Sequence, residues 1–111
     1  MYLNKTKLGQ DISKMKDRGV FFHLAETFQA LGDSSRVQIV WALMNGEQNV
    51  GDLAQTLEMS QPAVSHHLRT LRNLGLVKIR KLGRNIIYSL DDEHINHLLK
   101  EGLKHVEDLL K

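Results

Sequence analysis

The 111-residue chain predicts a mainly α-helical fold with one β-hairpin. Three observations carry that expectation. Apolar residues recur at helical spacing over most of the chain. Two alternating runs flank Gly83. Short polar residues stand before the apolar stretches and glycines after them, as helix starts and stops require.

Taken in order, residues 1–16 form a polar arm, and residues 17–111 form the domain. Val20, Phe21, Phe22, Leu24, Phe28 and Leu31 keep roughly helical spacing up to Gly32. Asp33-Ser34 caps a second helix whose expected apolar face is Val37, Val40, Trp41 and Met44, with Gly46 as its stop. Asn49 caps a short third helix, Val50 to Leu57. Ser60 caps a fourth, with Pro62 in the first turn, where its missing N–H costs nothing. That helix buries Val64, Leu68, Leu71 and Leu74 and ends at Gly75. Leu76 to Arg80 and Asn85 to Leu90 alternate as the arms of an antiparallel hairpin. Asp91-Asp92 caps a last helix that runs to Leu110. Two short helices joined by Glu58-Met59-Ser60 and followed by a hairpin make a winged helix-turn-helix.

Composition narrows the function. The net charge is only +2, yet residues 60–90 hold Arg69, Arg72, Lys78, Arg80, Lys81 and Arg84 and no acid. A cationic helix beside a cationic hairpin suits duplex DNA, because phosphate contacts release condensed counterions. The absence of cysteine excludes disulfides and thiolate metal sites. No apolar run is long enough to span a bilayer and residues 1–16 lack a signal-peptide core, so a cytoplasmic protein is expected. No phosphate-binding glycine loop, HExxH or matched nucleophile and base occurs, so no enzyme is expected. A chain this small gains burial by dimerising.

The second helix of such a motif enters the major groove by its N-terminal part. The candidates for base contact there are Gln61, Ser65, His66 and Arg69. Gln pairs with adenine and Arg with guanine, whereas Ser60 and Ser65 suit phosphate. Lys81 and Arg84 stand at the hairpin tip, where a wing follows the backbone or a minor groove. One ring of the His66-His67 pair has to turn inward or sideways.

The last helix carries a second pattern. Ile95, Leu98, Leu99, Leu103, Val106, Leu109 and Leu110 fill one apolar arc, and His94, His105 and Asp108 lie along its edge. Asp92 sits at the helix start, two residues before His94. A rise of about 1.5 Å per residue puts His94 and His105 about 16 Å apart, too far to share an ion within one chain. Two copies packed antiparallel solve this. Asp92 and His94 of one then face His105 and Asp108 of the other, twice per dimer, and Gly102 permits close approach. Two imidazoles and two carboxylates suit four-coordinate Zn(II) and accept Co(II). His97 and Glu101 lie on the polar side as decoration or as outer partners. The bland alternative is an ordinary aspartate N-cap and solvated histidines.

The segments Ala30-Leu31-Gly32-Asp33-Ser34-Ser35-Arg36, Val50-Gly51-Asp52-Leu53-Ala54, Ser60 to Leu68, and Gly83-Arg84 through Tyr88 resemble the ArsR/SmtB family of bacterial metal-responsive repressors. The likeness covers about residues 20 to 110. It implies a homodimer through the first and last helices, bound to operator DNA and released by metal. It also places Asp92, His94 and His105 on the positions of a zinc site in the last helix, with Asp108 as a shorter acid in the fourth place. Asn49 stands where thiolate-using relatives carry cysteine, which argues against sensors that need sulfur. The expectation is therefore a Zn(II)-responsive repressor. Its rivals are a regulator of the same fold answering a non-metal ligand, and a Ni(II) or Co(II) sensor that recruits further ligands.

Overall fold

A computed structural model describes residues 17–111; the expected N-terminal arm lies outside the described residues. Helix α1 (Arg18–Leu31) starts two residues earlier than the apolar spacing suggests, because the Asp17 carboxylate accepts the Gly19 N–H. Helices α2 (Ser34–Met44), α3 (Val50–Leu57) and α4 (Gln61–Asn73) follow. Each has the expected cap: Asp33 accepts from Arg36 N, Asn49 from Asp52 N and Ser60 from Ala63 N. Strands β1 (Val77–Leu82) and β2 (Asn85–Leu90) pair antiparallel, from Val77 opposite Leu90 to Leu82 opposite Asn85. Gly83 turns the hairpin at φ 63°, a left-handed conformation that glycine adopts without steric cost. Helix α5 (Glu93–Leu109) closes the chain. No helix among the described residues is long and apolar enough to cross a membrane.

The core sits where α2, α3 and α4 meet the base of the hairpin. Ile39, Val40, Leu53, Val64, Leu68 and Leu71 are fully buried there, with Leu76 and Val77 beside them. Burying one such side chain contributes about 1.5–3 kcal/mol. The expected apolar face of α2 needs correction. Val40 is buried, but Val37 and Met44 are half-buried, and Trp41 is exposed at 46%. Ile39, Ala42 and Leu43 are buried instead. The reason is packing: α2 touches α1, α3, α4 and β2, so it buries several sides rather than one stripe.

Two tertiary ties fix the hairpin. Gln48 and Tyr88 exchange both backbone hydrogen bonds (3.0 and 2.8 Å), which adds a one-residue third strand. Arg80 chelates Glu47 through both carboxylate oxygens, with Nε at 3.0 Å from Oε2.

The α3–α4 turn contains the one non-glycine residue of positive φ among the described residues, Glu58 (φ 55°, ψ 45°). Left-handed backbone costs an L-residue roughly 1–2 kcal/mol. Replacing Glu58 by glycine removes that strain, while greater freedom of the unfolded chain offsets part of the gain. Glu58→Gly is expected to stabilise the protein by roughly 0.5–1 kcal/mol, read from urea midpoints at unchanged slope.

Helices α1 and α5 contrast with the rest. Each buries one residue, Ala30 and Ile95 respectively. Val20, Phe21, Phe22, Leu24 and Phe28 on α1 stay exposed, as do Leu98, Val106 and Leu109 on α5. Leu99 and Leu103 of the expected apolar arc are only half-buried.

Candidate nucleic-acid interface and metal centre

Val64, Leu68 and Leu71 pin one side of α4 to the core, so its other side faces outward. Gln61, His66 and Arg69 are exposed on it, and Ser65 is half-buried. Ser60 is exposed, but its hydroxyl accepts the Ala63 N–H at 3.2 Å. Lys81 and Arg84 are exposed at the hairpin tip. Gln61 and Arg84 line one groove between the start of α4 and the wing. Ser65, Arg69 and Arg72 line another, further along α4 beside Tyr88 of β2. The candidates thus form one surface running from reading helix to wing.

Two features of this surface rest on contacts between residues distant in the chain. Arg80 belongs to the basic block, yet Glu47 neutralises it. The Glu47 carboxyl is held below its ordinary value by the hydrogen bond from Arg80, against a smaller opposing effect of desolvation. A depressed carboxyl stabilises the fold above its unfolded value, and that contribution is lost as pH falls through the lower folded value. Wild type is therefore expected to lose thermal stability relative to Glu47→Gln on acidification from pH 7 to about pH 3, a range that passes through the free glutamate value of about 4.3 and on below it. Parallel melting curves across that range would contradict it. The second feature is the histidine pair. His66 points outward, whereas the half-buried His67 ring accepts a hydrogen bond from Arg36 Nε at 3.3 Å.

The metal candidates fall into two pairs at opposite ends of α5. Asp92 is the N-cap: its Oδ1 accepts from His94 N (2.9 Å) and Ile95 N (3.3 Å). Its Oδ2 lies 3.5 Å from His94 Nδ1. Partial desolvation pushes the Asp92 carboxyl up, but the His94 side chain and the two backbone N–H groups outweigh it and leave it below the ordinary value. At the far end His105 and Asp108 are exposed, and Asp108 lies 3.5 Å from Lys111 Nζ. Among the described residues, no three potential ligands of one chain gather around a common point. A 17-residue helix is about 25 Å long, so the two pairs cannot meet within a single copy. Each pair offers one imidazole and one carboxylate, which is half of a four-coordinate shell. His97 and Glu101 are exposed between the pairs, and a Cβ on Gly102 would meet only open space.

Comparison with known proteins gives a consistent answer. The profile described as "Bacterial regulatory protein, arsR family" matches residues 33–78, which span α2 to the start of β1. The HTH-type transcriptional regulator NmtR of Mycobacterium tuberculosis is 51% identical over 86 residues, 78% of this chain and 72% of that protein. The cadmium resistance transcriptional regulatory protein CadC homolog of Staphylococcus aureus is 38% identical over 112 residues, covering 97% of this chain and 89% of its own length. Among solved structures, a homodimeric winged helix-turn-helix DNA-binding domain from Mycobacterium bovis superposes with a TM-score of 0.79 at 26% identity. That superposition covers 87% of this chain and 92% of the other. With its helix-turn-helix, its paired wing and relatives this similar along most of their length, the chain belongs to the ArsR family of bacterial transcriptional regulators.

Proposed function

We propose that this protein is a homodimeric repressor that leaves its operator when Zn(II) binds between the two last helices. The observation that carries the reading is the division of α5 into two half-sites. Asp92 with His94 stands at one end and His105 with Asp108 at the other, on a helix whose Leu98, Val106 and Leu109 stay exposed in the single chain. The exposed apolar residues of α1 and α5 support a dimer through those helices. The names of the relatives, one of them a cadmium resistance regulator, support metal as the effector. This chain has no cysteine, so oxygen and nitrogen donors are what it can offer.

Ser60, Gln61, Ser65, His66 and Arg69 of the reading helix meet bases and phosphates in the major groove. Lys81 and Arg84 follow the backbone beside it. Asp92 and His94 of one protomer, with His105 and Asp108 of the other, hold the ion, which supplies a cross-link between the protomers. Co(II) is the accepted substitute. Linkage requires that a cation which weakens DNA binding must itself bind the DNA-free dimer more tightly, by the same factor. Ligating imidazoles must be neutral, so the response fades in acid.

The test is operator binding with and without Zn(II) at fixed salt. A factor of about 100 is expected, equivalent to ~3 kcal/mol of coupling. Without metal, log affinity should fall with log salt at a slope of about −4 or steeper, as several phosphate contacts require. Equal affinity with and without Zn(II) would refute the sensor, and a slope near zero would refute the phosphate contacts. The Co(II) spectrum tests the ligand count: intense d–d bands indicate four ligands, and weak ones indicate six, as a Ni(II)/Co(II) sensor recruiting His97 would give.

A further inference from the structure

One side chain joins three helices. Arg36, in the first turn of α2, donates Nη1 to the Ala30 carbonyl near the end of α1 (3.2 Å). It donates Nε to Nδ1 of His67 in the middle of α4 (3.3 Å). Its own backbone N–H is fixed by the Asp33 cap at 3.0 Å. The guanidinium lines a cleft between α1 and α4, with Glu26 and Gln29 on one wall and Thr70 and Asn73 on the other. His67 immediately follows the DNA-facing His66, and the two rings lie edge to face at 5.8 Å.

We propose that Arg36 is a positioning residue for DNA binding: a strut through which the first helix sets the pose of the reading helix, and one that holds only while Nδ1 of His67 carries no proton. This rests on the reading of the protein as a dimeric DNA-binding regulator. An arginine Nε always carries hydrogen, so His67 must present a bare Nδ1 and keep its proton on Nε2. A proton on Nδ1 removes the acceptor and sets two cations against each other. The charged and titratable groups facing that ring are Arg36 and Asp33 from the start of α2 and His66 on its own helix, while Glu26 of α1 shares the cleft with Arg36. The Asp33 carboxyl lies below its ordinary value, chiefly through the Arg36 backbone N–H and to a lesser degree through the charges of Arg36 and His67. It eases the repulsion but cannot restore the bond. Two reading helices must meet successive major grooves at one spacing, so a looser strut costs specific binding rather than non-specific phosphate attraction.

The experiment uses the full chain and a duplex selected by wild type from a random-sequence pool. Arg36→Lys keeps the charge but cannot make both bonds, and His67→Gln keeps an acceptor that does not titrate. Arg36→Lys is expected to weaken binding to the selected duplex about tenfold, with binding to a scrambled duplex unchanged within twofold. It should also tolerate a one-base-pair change in half-site spacing that wild type rejects. His67→Gln should retain specific binding, since its side-chain oxygen still accepts from Arg36. Nitrogen shifts of the His67 ring provide a reading independent of DNA: the Nε2–H tautomer in wild type, a mixture of tautomers in Arg36→Lys. An Nδ1–H tautomer in wild type, or a ratio of selected to scrambled affinity in Arg36→Lys within twofold of wild type, overturns the strut alone. Failure of wild type to select any duplex overturns both the strut and the DNA-binding reading beneath it.

Discussion

Neither a His94→Ala nor a His105→Ala homodimer should release DNA in response to Zn(II), yet the heterodimer of the two should recover half of the wild-type sites. In a shared site, each homodimer loses one imidazole from both copies of the shell. In the heterodimer one site loses both imidazoles, while the other keeps Asp92 and His94 from the His105→Ala chain and His105 and Asp108 from the His94→Ala chain. Competition against a chromophoric chelator should count two tight Zn(II) per wild-type dimer, one per heterodimer and none per homodimer variant. Affinity of the metal-free variants for DNA should stay close to wild type. His94 is 92% exposed and touches only its own N-cap, so its removal disturbs little packing. A site built within one chain would leave the heterodimer with no intact copy, and zero recovered ions would eliminate the shared arrangement. The expected loss in each homodimer variant is the whole coupling, a factor of about 100 in operator affinity between the zinc-bound and zinc-free forms.

Local order was well encoded in residue types. Asn49, Ser60 and Asp92 are short acceptors placed just before apolar runs, and all three cap helices as their chemistry requires. The hairpin was equally legible, because alternation on both sides of a glycine favours the register in which Val77, Ile79, Tyr88 and Leu90 share a face. What remained hidden depends on meetings across the chain. Glu47 and Arg80, like Arg36 and His67, are more than thirty residues apart, and no periodicity announces such a pair. Trp41 misled for a related reason: it fits a helical stripe, but α2 is enclosed on several sides and spends other residues on the core. Glu58 carries no glycine signal for its left-handed backbone, which the two flanking helices impose.

For the metal candidates the spacing fixes position along the helix and nothing about ligation. A step of eleven residues from His94 to His105 returns a helix to nearly the same angle, so the spacing predicts one shared edge at two distant heights. Both pairs sit at the ends of α5, with Asp92 and His94 in contact and His105 and Asp108 exposed. The four donors do not converge within one chain, so an ion held by all of them would have to join two copies. Zinc sensing and dimerisation are therefore one physical claim, and disrupting the apolar faces should abolish both.

Phe28→Asp provides that test and carries the second large effect. Phe21, Leu24 and Phe28 fall along one side of α1, at spacings of three and four residues, and all three remain exposed in the single chain. Phe28 is 52% exposed, so a carboxylate there is solvated in an isolated protomer and costs the fold little. Against the same apolar stripe of a second copy it would be buried without a partner, which is strongly unfavourable. The variant should therefore be a folded monomer by light scattering and circular dichroism at concentrations where wild type is dimeric. A monomer presents one reading helix to one half-site and loses the gain from joining two contacts, so operator affinity should fall about 100-fold or more. It should also lose tight Zn(II) binding, although none of Asp92, His94, His105 and Asp108 has been altered. A Phe28→Asp protein that still binds Zn(II) tightly as a monomer would place the ion within one chain. One that remains dimeric would place the contact between protomers on another face.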